Sequence, residues 1–388
     1  MKRIIIPLCL GILIFSGNLK TQEDQHLSFL KRQNYSAKEY VIDLFKKHDI
    51  VILCEREHKE ITQYELFLDI VQDPYFIKNV GHIFTEVGCA NLDGEINQFL
   101  QSNQQDSVSI RKSITSIFRD IDYRPYWHCY SYPWLLGELY KVNQNLKKDK
   151  KLMLHPADIA FDWSTCITAR EYKAFDDGIY NRDSIMARQI IRRFDQIRSG
   201  NDSRKKALVI MNYKHAFLKD HSFLGTMTNN TGRYLTDRYK DKVASVYIMG
   251  LAIPKSGSYT IVKNGKWDHY FEVSNHTDVG FNLANSPFGL EVFDVIPPDS
   301  VNHLKYQDMF TGLIFYKPVH EHVLKIGWND FATEEFILEL RRRIMLFSDA
   351  MELNMTNEEI EESLLENNIE KTTRYSNLEA LRKEIDRW

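Results

Sequence analysis

Asp49-Ile50-Val51-Ile52-Leu53-Cys54-Glu55-Arg56-Glu57-His58-Lys59-Glu60 begins as an unbroken aliphatic run and ends abruptly in acids, bases and an imidazole. Five consecutive apolar residues, most of them β-branched, read as a strand buried on both faces, so the residues that follow leave the sheet at its carboxyl edge. Open α/β sheets place their ligands at that edge. Beyond it, Ile61, Tyr64, Phe67 or Leu68 and Val71 repeat at helical spacing. Glu55 and His58 therefore lie on a strand-to-helix turn, where an acid and an imidazole three residues apart can point into one small volume.

The same pattern recurs along the chain. Asn34 to Lys47 reads as a helix leading into the first strand, and Val80 to Val87 as a second strand with Glu86 at its end. Further apolar runs fall at 151–154, 207–211 and 243–249, with helical patterns between them. That alternation predicts an α/β fold: a mainly parallel central sheet flanked by helices. After the second strand comes a helical insertion, 94–147, rich in aromatics and broken by Pro125 and Pro133. Trp127 and Trp134 in it, together with Asp158, are candidates to line a pocket for an apolar substrate. The predicted catalytic domain runs over 34–290. Residues 291–388 read as an extension of it, with Pro297, Pro298 and a strand-like 312–316, ending in charged helices that pack through Phe336, Leu340, Ile344 and Phe347.

Length, a hydrophobic share of 43% and a net charge of −3 suit a large globular core and give no basic footprint for nucleic acid. Lys2 and Arg3 before the apolar run 4–15, then Ser16 and Gly17, read as a signal peptide over 1–17, which predicts a periplasmic or secreted protein. The run is shorter than the roughly 20 residues of an ordinary span, so no integral membrane segment is expected in the mature chain. Removing it leaves Cys54, Cys89, Cys129 and Cys166, with no CxxC pair; packed free thiols are the favoured expectation over disulfides.

Glu55, His58, Glu86 and His215 fall at ends of predicted strands, and Asp158 follows the third. Each alone reads as a cap or a satisfied core group. Their repetition at successive strand ends is what marks a site, because such ends converge in a parallel sheet. Arg182 heads the helical stripe of Met186, Ile190, Phe194 and Ile197, so its cation is aimed inward and needs anionic partners. Pairing with Asp183, or capping of the helix start, is the simpler alternative.

Taken together, these residues resemble the erythromycin esterase family, within the wider group that holds the haem-uptake ChaN proteins and the Tiki peptidases. The family's Gly-Glu-x-x-His-Gly opening is similar to Cys54-Glu55-Arg56-Glu57-His58-Lys59, with both glycines replaced. Its acid-ended second strand resembles Phe84-Thr85-Glu86, its Ile-Asn-x-x-Leu element Ile96-Asn97-Gln98-Phe99-Leu100, and its insert Trp134, Leu135 and Asn143. The Arg-Asp-x-x-Met helix start is similar to Arg182-Asp183-Ser184-Ile185-Met186, and the strand-end histidine to His215. The resemblance implies a hydrolase in which His58 activates water, helped by Glu55, Glu86, His215 and Arg182.

Hydrolysis of an ester or lactone needs an activated water and a donor for the developing oxyanion. No Gly-x-Ser-x-Gly elbow is present, which argues against a serine intermediate. The expectation is therefore a cofactor-free hydrolase of a small-molecule ester or lactone. Two alternatives stand beside it. Glu55, His58, Glu86 and His215 suit a divalent metal in number and type, as in a Tiki-like peptidase, although their spacing is unlike HExxH. A non-catalytic secreted ligand-binding protein, taking haem as the ChaN relatives do, is the other.

Overall fold

The computed structural model describes residues 25–388 except 105, 126–128, 224–225, 253–258 and 297–302. The signal-peptide segment, Trp127, Pro297 and Pro298 lie outside the described residues. The aliphatic run becomes β1 (Ile50–Glu55), buried at every position, as its two-sided apolar character requires. It is joined by β2 (His82–Cys89), β3 (Met153–Asp158), β4 (Ala207–Asn212), β5 (Val243–Ile248), β6 (Asp278–Asn282) and β7 (Gly312–Tyr316) in one seven-stranded sheet of order β6-β7-β5-β1-β4-β2-β3. Only β6 runs antiparallel to its neighbour; every other pairing is parallel. β7 lies beyond residue 290, so the predicted extension supplies part of the sheet itself.

Parallel strands buried on both faces need cover on both, and two apolar clusters provide it. Val51, Leu53, Ile83 and Leu208 face one, which includes the helices α1 (Ala37–Leu44) and α2 (Ile61–Val71). Ile50, Ile52, Cys54 and Val209 face the other, built on the stripe of Ile190, Phe194 and Ile197 from α3 (Arg182–Ser199). Among its described residues the insertion folds as three helices, α4 (Asp93–Gln101), α5 (Ser107–Arg119) and α6 (Ser131–Gln144). Pro133 does not break α6 but sits in its first turn, where a missing N–H costs nothing. Cys54, Cys89, Cys129 and Cys166 are all buried free thiols.

Strand order positions the site. From β1 the chain crosses to β2 and β3, then returns to lay β4 between β1 and β2. The carboxyl ends of β1, β4 and β2 thus become neighbours at a point where the winding reverses, the place such sheets leave open for a ligand. Register aligns Glu55 with Asn212 and Thr85 with Ile210. Between Thr85 and Cys89 the pairing of β2 with β3 slips, so Glu86 lies within β2 at an irregularity that re-aims its side chain. Gly88 makes that slip feasible: its φ is +112°, and a Cβ there would lie 2.7 Å from Pro156 Cβ.

A strip from the extension closes the rim. Lys325 N–H donates to Lys59 O (2.7 Å), and Ile61 N–H donates to Val323 O (2.9 Å), so residues 323–325 run beside the turn that carries His58. Beneath that turn, buried Arg56 donates to Glu60 and to the carbonyls of Met249 (3.3 Å) and Tyr316 (3.0 Å), locking the turn to β7 and the end of β5.

Candidate active site

Glu55 ends β1 almost fully buried, and its two oxygens have separate partners. Oε2 lies 2.5 Å from His58 Nδ1, and Oε1 accepts from the Tyr64 hydroxyl at 2.6 Å. Burial, then Glu55, pushes the Tyr64 phenol well above its ordinary range, so it remains a donor. With Nδ1 so engaged, the working nitrogen of His58 is Nε2. It faces Glu86 Oε1 across 3.8 Å.

Glu86 is the centre of the cluster. Its Oε2 accepts from the backbone N–H of Asn212 (2.8 Å), which fixes the carboxylate against the end of β4. Its Oε1 lies 3.3 Å from His215 Nε2 and 3.1 Å from Arg182 Nη1. Three nitrogen groups therefore converge on one oxygen. Burial works against the charge, but His215, His58 and Arg182 together hold the Glu86 carboxyl well below the usual carboxylate range.

His215 has an acid of its own. Asp183 lies 2.9 Å from His215 Nδ1 and accepts from Thr231 N–H (2.8 Å) and Oγ1–H (2.9 Å). The site thus holds two carboxylate–imidazole pairs, Glu55–His58 and Asp183–His215, facing a shared carboxylate. Burial disfavours both imidazolium ions. Glu55 and Glu86 outweigh it at His58 and raise its pKa to about 9; Glu86 and Asp183 do the same at His215 and raise it to about 10. The four groups that face each other here are reachable: the side chains of His58, Arg182 and His215 are 17 to 19% exposed, over a Glu86 that is 2% exposed.

Glu55, His58, Glu86, Arg182 and His215, far apart in sequence, are brought together in this way. Arg182 is not paired with its neighbour Asp183. Its Nε and Nη2 donate to Asp158 (2.9 and 2.7 Å), a two-pronged bond that, with Glu86, occupies the guanidinium on three sides. Asp158 is the last residue of β3 and is committed to Arg182. Trp134 stands apart. The cavity it lines is walled by residues such as Ile114, Tyr130 and Trp328 and by none of the five.

Asp183, Tyr64 and Asn212 also belong to the site. Asp183 follows Arg182 at a helix start, where an acid is ordinarily a cap. Tyr64 counts as one more member of an apolar stripe. Only the hydroxyl on an otherwise apolar face hinted at a buried partner. Glu55, His58 and Glu86 also offer ligand atoms that all lie within 4.8 Å of one another, a spacing a divalent cation could span.

No family model matches the chain, and no curated protein matches it in sequence. Solved structures do share its α/β arrangement. A succinoglycan biosynthesis protein is similar at 9% identity with a TM-score of 0.51, over 77% of this chain and 96% of that one. The erythromycin esterase EreC, in a mutant form captured open, is similar at 13% identity with a TM-score of 0.48, over 74% and 95%. ChaN of Campylobacter jejuni, solved with cofacial haem, is similar at 11% identity with a TM-score of 0.32, over 72% and 91%. At these identities a likeness concerns the fold alone, and of these three structures the succinoglycan biosynthesis protein is the one with a TM-score above 0.5.

Proposed function

We propose that the chain is an erythromycin esterase-like hydrolase that cleaves an ester or lactone by activated water, without a covalent serine intermediate. One observation carries this reading: Glu55–His58 and Asp183–His215 converge on Glu86 at the carboxyl ends of three adjacent strands. The order of the motifs in the sequence points the same way.

In this mechanism water sits between His58 Nε2 and Glu86 and attacks the carbonyl carbon while His58 Nε2 takes its proton. The oxyanion so formed meets the Nε2–H of protonated His215. As the C–O bond breaks, the leaving oxygen recovers the proton from His58, giving an acid and an alcohol. Geometry divides the labour: His58 Nε2 stands 3.8 Å from Glu86 Oε1 and is the base, whereas His215, held by Glu86 at 3.3 Å and by Asp183 at 2.9 Å, keeps its proton and is the donor. Arg182 is a positioning residue, because its donors are already turned to Asp158 and Glu86. Glu55 orients His58 and fixes its tautomer.

Assaying a panel of aryl esters and macrolactones tests the reading. Turnover by the wild type and its loss in His58→Ala, in protein that keeps its fold by circular dichroism, is the expected result; activity retained in His58→Ala would sink the assignment of the base.

The spacing of Glu55, His58 and Glu86 favours a second reading, a metal-dependent hydrolase in which these residues hold a divalent cation. Such an ion would supply Lewis acidity and a more acidic water. Metal analysis of protein never exposed to chelator, with an assay in EDTA, separates the two. The cofactor-free reading expects undiminished rates; loss in EDTA restored by Zn²⁺ or Mn²⁺ would replace it with the metal-dependent one.

A further inference from the structure

The insertion helices α5 and α6 touch each other yet leave space between them. A cavity of about 690 Å³ lies between them, with Ile114, Pro133, Tyr130, Trp134 and Trp328 among its walls. That volume falls in the range of roughly 300 to 1,000 Å³ typical of small-molecule sites. From these features we infer that the cavity is a second binding site, separate from the imidazole cluster, for an uncharged and largely apolar small molecule bearing a flat ring system.

Three features support the inference. First, the aromatic walls are held in place before any ligand arrives. The Trp328 indole donates to Thr115 Oγ1 (2.9 Å) and lies under the Arg111 guanidinium, 4.2 Å from its ring centre. Tyr130 is covered likewise by Lys325 Nζ at 3.5 Å. Rings fixed in this way lose little freedom when a flat ligand stacks on them.

Second, the charges in the wall have their own counter-ions. Arg111 reaches Asp330 (3.2 Å), Asn329 O (2.8 Å) and Glu370 (3.4 Å), and Lys141 reaches Glu138 (2.7 Å). A charged ligand would have to compete with those pairs. An uncharged one does not, and that selects its class.

Third, Gly137 lines the cavity in the interior of α6, where glycine is among the least favourable helix residues. Packing does not demand it. A Cβ at this position would meet only Ile114 Cδ1, at 3.4 Å, an ordinary contact. The missing side chain leaves the cavity deep at the cost of helix stability.

The experiment titrates the full chain with N-phenyl-1-naphthylamine, an uncharged aromatic fluorophore, and follows probe emission. Saturable one-to-one binding is expected in the wild type and in His58→Asn. Gly137→Leu should weaken it at least about tenfold by filling the space, without a lower melting temperature, because leucine is the better helix former. Trp134→Ala should weaken it too, and decides the matter should Gly137→Leu fail to fold. Wild-type protein that does not bind the probe saturably overturns the inference, as does binding that both wall variants leave unchanged. Binding lost in His58→Asn would assign the probe to the imidazole cluster and overturn it equally. None of these outcomes depends on whether the chain hydrolyses an ester.

Discussion

His58 and His215 stand at the carboxyl ends of β1 and β4, whereas His82 and His155 lie within β2 and β3 of the same sheet, and each pair has carboxylates at hydrogen-bond range. Asp93 touches His155 Nδ1 (2.5 Å) and Asp202 faces His82 Nε2 (3.3 Å), much as Glu55 and Asp183 attend the other two. Yet the charge states are opposite. Burial, then His155 and Arg204, drives His82 down to about 3, and burial lowers His155 despite Asp93, while His58 and His215 are raised. The difference lies in how many carboxylates face each imidazole and what else does. Asp202 is bound by Arg204 and Asp93 by Arg193, and His82 and His155 face each other at 3.2 Å, so a proton on one penalises a proton on the other. At the strand ends each imidazole faces two carboxylates, Glu55 and Glu86 at His58 and Glu86 and Asp183 at His215, and the shared Glu86 serves both although Arg182 also binds it. A single carboxylate beside a buried histidine therefore does not make a proton-holding site; two converging on it do.

The comparison can be broken most severely at His58. His58→Asn removes the base and should cut kcat by about 10² to 10⁴, in protein that keeps its fold by circular dichroism, in an assay on whichever ester the wild type turns over. Next in size is Glu86→Gln. Without the shared charge, both raised histidines should fall toward the ordinary value of about 6.5, which histidine-edited NMR titration would record. If His58 still titrated near 9, Glu86 would add nothing to what Glu55 already does there.

A smaller effect sharpens the contrast through stability against pH. For His58 and His215 the folded pKa is raised, so their contribution is complete below about pH 6.5 and fades as pH climbs through about 9 and 10. For His82 and His155 it is lowered, so the unfolded chain binds more protons on the acid side. Stability should then fall as pH drops below about 6.5 toward about 3. Denaturant melts across that range would show one limb on each side. Smallest of all, His82→Phe should flatten the acid limb and leave hydrolysis within roughly twofold, as befits a residue away from the reacting groups. A large loss of activity in that variant would mean that the buried pair serves the site.

Much of this was legible in the residues because the sheet is buried on both faces. β1, β2, β4 and β5 announce themselves as aliphatic runs, and an acid or histidine at or near the ends of β1, β2 and β4 marks the edge. β3 was read short, at 151–154, since His155, Pro156 and Asp158 look unlike a strand; they are accommodated because Pro156 stands opposite the slipped stretch of β2. β6 escaped notice because Asp278–Asn282 is short and polar at both ends, as an outermost strand can be. Within the site, the residues that attach to strand ends could be found by repetition. Asp183 and Tyr64 could not, because their roles are set by partners, His215 and Glu55, that only the folded sheet brings near. Asp158 was seen but given to the substrate, whereas the fold gives it to Arg182.

The proposal that His58 activates water meets its most direct test in the pH dependence of kcat/KM for a hydrolysed aryl ester or lactone. A base held by Glu55 and Glu86 must first release its proton, so the rate should climb through neutrality and level off only near pH 9. A profile already flat above the ordinary histidine value of about 6.5, or one with no rising limb at all, would contradict it.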